Sequence, residues 1–268
     1  MNADEDTETI AVMDDPSFWS LLRDARSKFL GLDYDGTLAP FRKERMDAVP
    51  LRGIIDLLKQ IEQRGDTVLA VISGRPLFEL IELLGDIPVT MVGSHGFEFR
   101  NPSGEIVVKK ISSDQEQGLV QAQTHGIEAG LEDHLEMKRA SLALHTRGVS
   151  RDQEAWMYER LHPAWEDLAP PHNLEIRRFN GGIELRARGW NKGDALESLL
   201  VALADSTLCI YLGDDETDED AFERIRPYGI GIRVGGPTRL SKARGFVDDI
   251  GSVKRFLLKW TGLPFSES

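Results

Sequence analysis

The sequence predicts an α/β protein whose doubly wound, mainly parallel sheet carries an inserted α+β unit, and three observations lead there. Short apolar runs at residues 28–32, 67–72 and 208–212 alternate with stretches whose apolar residues recur at helical spacing, as in parallel strands covered on both faces. That alternation stops near residue 97 and resumes near residue 190. Between these points, Asn101-Pro102-Ser103-Gly104 and Asn180-Gly181-Gly182 sit between alternating segments and read as hairpin turns.

Taken in order, Phe18 to Leu22 is a short amphipathic helix, and residues 28–32 form a buried strand that ends in acidic and glycine residues. Leu51, Ile54, Ile55, Leu58 and Ile61 mark a helix stopped by Gly65, followed by the β-rich strand TVLAVI. Pro76 stands as the first residue of the next helix, carrying Leu77, Leu80, Ile81 and Leu84, before a strand at 89–92. Hairpins are expected at 97–108 and 174–187, with polar helices around 116–137 and 152–168. Leu196, Leu199, Leu200 and Leu203 then mark a helix, followed by a strand at 208–212, a helix near Ala221 and a strand at 229–234. The expected division is 1–102 for the first part of the parallel core, 103–187 for an α+β cap and 188–268 for the rest of the core. Pro102 and Arg188-Gly189 mark the crossings, which are also the hinge candidates if the cap moves.

Charge and cysteine usage narrow the function. The 268 residues hold 32 Lys and Arg against 45 Asp and Glu, a formal net charge of −13. A basic face for nucleic acid or an anionic membrane is therefore not expected. Cys209 is the one cysteine, which excludes an internal disulfide or a cysteine zinc site and fits a reducing compartment. The acidic N-terminus has no signal-peptide pattern and no apolar run reaches membrane-spanning length. The expected setting is cytoplasmic.

The chemistry concentrates at strand ends. In Leu32-Asp33-Tyr34-Asp35-Gly36-Thr37-Leu38 two carboxylates two residues apart lie beyond the carboxyl end of a buried strand, where open α/β sheets place ligands. Gly36 and Thr37 offer a tight turn with free amides suited to an anion. Gly213-Asp214-Asp215-Glu216-Thr217-Asp218-Glu219-Asp220 follows a second buried strand. Helix-dipole preference accounts for Glu219 and Asp220, but less well for Asp214 and Asp215. If the two strand ends are neighbours, the converging carboxylates call for a hard divalent cation, and Mg²⁺ suits them best. Ser73 closes another strand beside a helix start, and Lys192 heads a helix where an anion would be favoured. Together these residues describe a phosphate held between Mg²⁺ and cations.

Asp33-Tyr34-Asp35-Gly36-Thr37, Ser73-Gly74-Arg75, Lys192-Gly193 and Gly213-Asp214-Asp215 with Asp218 resemble, in order, the four motifs of the haloacid dehalogenase superfamily. Gly93-Ser94-His95-Gly96 with Glu98, His145-Thr146-Arg147, Ile183-Glu184-Leu185-Arg186 and the run GDDETDEDAF extend the resemblance to the trehalose-6-phosphate phosphatase family. Thr146 and Ala187 depart from the aromatic and the proline that this family often has there.

The resemblance implies Asp33 as nucleophile, forming an aspartyl phosphate, and Asp35 as acid and base. Asp33, the Asp35 carbonyl and Asp214 would hold Mg²⁺, supported by Asp215 and Asp218. Ser73 and Lys192 would hold phosphate oxygens, with Gly36, Thr37, Gly74 and Arg75 around them. The sugar would be read by His95, Glu98, Arg147, Glu184 and Arg186; for Glu184 and Arg186 the competing reading is a cross-strand salt bridge. His125, His134, His162 and His172 read as surface or helix residues. The implied substrate is a phosphorylated disaccharide, and the implied partner a trehalose-phosphate synthase. Alternatives are a phosphatase for another glycosyl phosphate (mannosyl-phosphoglycerate, sucrose or glucosyl-glycerol phosphate) and a non-catalytic partner subunit of a sugar synthase. A receiver module would be about half this length, and residues 229–235 miss the GxGxxG spacing of a nucleotide site.

Overall fold

The computed structural model describes residues 9–238 and 240–262. The acidic first eight residues lie outside them. The first strands are β1 (Ile10–Ala11), β2 (Lys28–Leu32), β3 (Thr67–Ile72), β4 (Thr90–Gly93), β5 (Glu98–Arg100) and β6 (Ile106–Val108). Next come β7 (Leu135–Met137), β8 (Ser141–His145), β9 (Leu174–Phe179) and β10 (Gly182–Ala187). The last are β11 (Leu208–Gly213), β12 (Gly229–Val234) and β13 (Gly245–Val247). The helices are α1 (Pro16–Asp24), α2 (Ile54–Gln63), α3 (Leu77–Leu84), α4 (Ser113–Glu128), α5 (Arg151–Leu168), α6 (Lys192–Leu200), α7 (Glu219–Ile225) and α8 (Ile250–Trp260).

The larger sheet has nine strands in the order β1-β13-β12-β11-β2-β3-β4-β5-β6. All neighbours from β1 to β4 are parallel, and β5 and β6 add an antiparallel edge. Alternation within β2 shows why the run is apolar throughout. Leu30 and Leu32 pack with α2 and α8, whereas Phe29 packs on the other face with α6 and α7. From β2 the chain steps to β3 on one side; β11, on the other side, is reached only much later. The carboxyl ends of β2 and β11 thus frame the crevice where chain direction divides.

The second sheet, β7-β8-β10-β9, is antiparallel throughout. It has its own apolar cluster, in which Leu119 of α4 and Leu161 and Trp165 of α5 meet Leu142, Leu144, Ile183 and Leu185.

Several expectations need correction. The 97–108 hairpin forms, but β6 belongs to the nine-stranded sheet, so Pro102 lies in a turn of that sheet and is no crossing. The chain leaves the sheet after Val108, later than residue 103. The helix expected around 116–137 stops at Glu128, and residues 135–137 are strand β7. Pro76 is the N-cap of α3 rather than its first residue. The sequence reading left β1, β8, β13 and α8 unassigned; the two-residue β1 and three-residue β13 are too short to show a period.

Candidate active site

Parallel pairing of β2 with β11 brings the two acidic motifs together, with the Asp33 amide donating to the Leu212 carbonyl at 2.8 Å. Asn191 caps α6, its side chain accepting from the Asp194 amide, and this places Lys192 at the helix start. The buried Lys192 Nζ donates to Asp33 Oδ1 at 2.8 Å and to Asp218 Oδ1 at 2.9 Å. Asp218 Oδ1 also accepts from the Tyr211 hydroxyl at 2.6 Å, and its Oδ2 accepts from the amides of Asp214 and Asp215. Asp218 is therefore an anchor: it fixes Lys192 and folds the acidic loop. Asp215 caps the turn through Thr217, whose amide and hydroxyl donate to its Oδ1.

Ligand oxygens of Asp33, Asp214 and Asp218 lie within 4.8 Å of one another. Burial, then the neighbouring Asp33, Asp215 and Asp218, pushes the Asp214 carboxyl up to about 10. Its Oδ1 is buried without a hydrogen-bond partner. Burial also raises the Asp33 carboxyl against the pull of Lys192. A carboxylate cluster left one cation short, with an orphaned oxygen, fits a hard divalent ion such as Mg²⁺. Asp33 and Asp214 have lone pairs to give, whereas those of Asp218 are largely committed.

Gly36 turns the chain at φ +78°, and a Cβ there would come within 2.1 Å of Asp214 Oδ2, so only glycine fits. The free amides expected at this turn are engaged: Gly36 N–H donates to the Ala39 carbonyl and Thr37 N–H to that of Tyr34. What the turn leaves without a partner is the fully buried Thr37 Oγ1. Ser73 Oγ, buried at the end of β3, accepts from the Arg75 amide at 3.1 Å. Arg75 grips Asp35 with both arms of its fork, at 2.6 and 2.8 Å. Gly74 packs under the His95 imidazole.

A cavity of about 510 Å³ opens between the two sheets, a size suited to a small ligand. From the larger sheet it is lined by Asp33, Asp35, Ser73, Gly74, Arg75, Lys192 and Asp215. His95, in the turn after β4, also lines it, and Arg147 and Glu184 close it from the side of the second sheet. Glu184 accepts from Lys138 and Ser141, both at 2.8 Å, and lies 2.7 Å from His95 Nε2. Burial pushes His95 down, against the pull of Glu184. Against the burial that would raise it, His95 and Lys138 hold the Glu184 carboxyl well below its usual range. Arg147 stacks on Phe41 at 4.6 Å and donates to the Arg42 and Asn180 carbonyls.

Two expected sugar contacts do not reach this cavity. Glu98 accepts from Ser94 Oγ and from the Leu77 amide, pinning the start of α3. Arg186 pairs with its cross-strand neighbour Glu175 at 2.7 Å and with Asp220 at 3.3 Å, so the salt-bridge reading holds for it. Thr146 and Ala187 are buried, Thr146 bonding to Glu154 and Ala187 sitting in the apolar cluster of the second sheet.

The sequence reading missed Glu136, Lys138, Phe179 and Asn180, and it left His134 to the surface; all five line the cavity. The available signal was Glu136-Met137-Lys138, whose outer members share a face once the segment is read as strand.

The trehalose-phosphatase family profile matches residues 31–248. The chain is 32% identical to a bifunctional trehalose-6-phosphate synthase/phosphatase of Thermoproteus tenax, over 82% of this chain but 30% of that protein. It is 29% identical to a probable trehalose-phosphate phosphatase C of Arabidopsis thaliana, over 91% of this chain and 81% of that one. It also spans 30% of the length of a UDP-forming α,α-trehalose-phosphate synthase B of Dictyostelium discoideum. Among solved structures, the C-terminal domain of the C. albicans trehalose-6-phosphate phosphatase has the same fold, with a TM-score of 0.83 and 21% identity. That match covers 97% of this chain and 100% of the other.

Proposed function

The chain belongs to the trehalose-phosphatase family, and on that premise we propose that it is a Mg²⁺-dependent phosphatase releasing phosphate from trehalose 6-phosphate through an aspartyl phosphate. The observation that carries this reading is Asp33, held by Lys192 at the β2–β11 crevice beside an uncompensated Asp214, on the floor of a cavity roofed by Glu184 and Arg147.

Asp33 attacks phosphorus with Oδ2, the oxygen that Lys192 leaves free. Lys192, anchored by Asp218, stays charged: against the burial that would lower it, Asp218, Asp33 and Asp215 raise its ammonium well above the usual lysine value. It can therefore follow the negative charge that builds on the phosphoryl oxygens, together with Ser73 Oγ. Asp35 protonates the departing sugar oxygen and then takes the proton of the water that attacks phosphorus. Asp33, Asp214 and the Asp35 carbonyl would hold Mg²⁺, which when bound supplies positive charge against the repulsion between carboxylate and phosphate. Glu184, Lys138 and Arg147 offer charged partners to sugar hydroxyls, and a wrong sugar would leave them unpaired.

The bifunctional Thermoproteus relative supports functional pairing with a trehalose-phosphate synthase. The lone, buried Cys209 is in keeping with a cytoplasmic setting.

The test is phosphate release with Mg²⁺ from trehalose 6-phosphate, glucose 6-phosphate, sucrose 6-phosphate and mannosyl-phosphoglycerate. The expected result is preference for trehalose 6-phosphate, lost with chelator and reduced at least ~10³-fold by Asp33→Asn. Preference for another ester would overturn the substrate. No release from any would overturn the enzyme reading.

A further inference from the structure

An unbroken chain of ion pairs runs from Asp35 to the second sheet. Beyond its fork on Asp35, Arg75 donates through its remaining arm to Glu79 Oε2 at 3.1 Å, one helical turn later on α3. Glu79 is only 2% exposed, and its other oxygen accepts from Arg45 at 2.5 Å. Arg45 lies in the loop between β2 and α2, and its second arm pairs with Glu136 of β7. Glu136 then meets His145 Nε2 at 2.7 Å and faces Lys138. Charge alternates from Asp35 through Arg75, Glu79 and Arg45 to Glu136, and Arg45 joins a carboxylate of α3 to one of β7.

The charges explain why Arg45 matters. Without it, Asp35, Glu79 and Arg75 form a largely buried group with one negative charge in excess. An unmatched buried charge is relieved by local rearrangement, and the Arg75 fork that holds Asp35 is shared with Glu79, so a shift at Glu79 reaches Asp35 through it. With Arg45 in place the group is neutral, and each oxygen of Glu79 has its own guanidinium. Because Arg45 is anchored on Glu136, this arrangement is complete only when the second sheet is seated over the crevice.

We propose that Arg45 is a positioning residue that ties proton transfer at Asp35 to the seating of the second sheet, acting through Glu79 and Arg75. This rests on the reading of Asp35 as the acid and base. Arg45 lines the cavity, but both of its arms are committed to carboxylates, Glu79 and Glu136. Its influence falls on the step in which a sugar alkoxide must leave with a proton. An ester whose leaving group departs as a stable anion escapes that demand.

The experiment compares kcat and KM of the full chain, its Arg45→Ala, Arg45→Lys and Glu79→Gln variants, on trehalose 6-phosphate and on p-nitrophenyl phosphate. For Arg45→Ala the expected result on the sugar ester is a kcat lower by ~10- to 100-fold with KM within ~3-fold, and on the aryl ester a loss below ~3-fold. Arg45→Lys should recover at least ~3-fold of the kcat loss, and Glu79→Gln, which keeps the shape, should reproduce the Arg45→Ala pattern. Unfolding temperatures, measured alongside, should not track the kcat losses. A raised KM with kcat intact would make Arg45 a sugar contact and overturn the proposal. Equal losses on both esters, or an Arg45→Ala enzyme that matches the wild type, would overturn it as well. If the unsubstituted protein releases phosphate from the aryl ester but not from trehalose 6-phosphate, the functional reading falls first and takes this inference with it.

Discussion

Asp214 shows what a single side chain must tolerate to make this site. Its carboxyl is pushed up to about 10 because it is buried and faces Asp33, Asp215 and Asp218. In the unfolded chain the same group releases its proton near pH ~4. Between these values the unfolded state has lost a proton that the folded state keeps, so without a cation stability falls as pH rises from about 4 towards 10. Removing the charge should relieve this. In EDTA at pH 8, Asp214→Asn should unfold at a higher temperature than the wild type, by roughly 2–4 °C for each kcal/mol recovered. Mg²⁺ should raise the melting temperature of the wild type, more at pH 8 than at pH 6 because the proton that Asp214 gives up to the ion is released more readily at the higher pH, and leave Asp214→Asn unchanged. Scanning calorimetry with and without Mg²⁺ checks all three points. A wild type indifferent to the ion would count against the cation site.

At the scale of elements, the site depends on how segments end. β2 ends in a turn that only Gly36 can make, and α6 begins under Asn191 so that Lys192 meets Asp33. Where the chain enters the second unit, Ser112 and Gln115 form a capping box at the start of α4. Gln115 Nε2 also donates to the carbonyls of Asn173 and Arg188, both at 3.0 Å, tying the entry of the inserted segment to its exit. Ser112→Ala should therefore cost about 1 kcal/mol for the cap, near 2–4 °C in melting temperature. Ser150→Ala at the equivalent box of α5, which has no such bridge, is the comparison. A larger loss at Ser112 than at Ser150 is expected, and equal losses would mean that the bridge contributes nothing. The two polar helices of this unit were legible as polar helical stretches, whereas β7 was hidden by its brevity, three residues between a 3₁₀ turn and a loop.

Across the whole molecule, two apolar clusters on either side of a shared cavity separate two tasks. The larger sheet holds the groups proposed to act on phosphate, and the smaller sheet presents Glu184, Lys138 and Arg147 opposite them. Two ion pairs join them, Arg186 with Asp220 away from the cavity and Arg45 with Glu136 in its lining. Glu184→Gln keeps the volume of the side chain but weakens its bonds with Lys138 and His95. It should lower kcat/KM for trehalose 6-phosphate by ~10- to 100-fold and for p-nitrophenyl phosphate by less than ~3-fold, the former mainly through KM. Equal losses on the two esters, measured side by side, would show that Glu184 supports the fold rather than reads the sugar.

The sequence by itself determined the parallel core, because continuous apolar strands between amphipathic helices have few other ways to be buried. It also determined which groups meet at the proposed phosphate end of the site. Asp33, Asp35, Ser73, Lys192 and Asp214 sit at ends of strands or the start of a helix, where chain direction places a side chain almost regardless of what surrounds it. Tertiary structure alone decided the sugar end. Glu98, Glu184 and Arg186 are alike in sequence, as charged residues beside glycine turns, yet one pins α3, one roofs the cavity and one ties β10 to α7. Each was settled by which opposite charge the folded chain brought within reach. That depends on β-register and on the approach of two sheets far apart in sequence, and local periodicity carries no record of either.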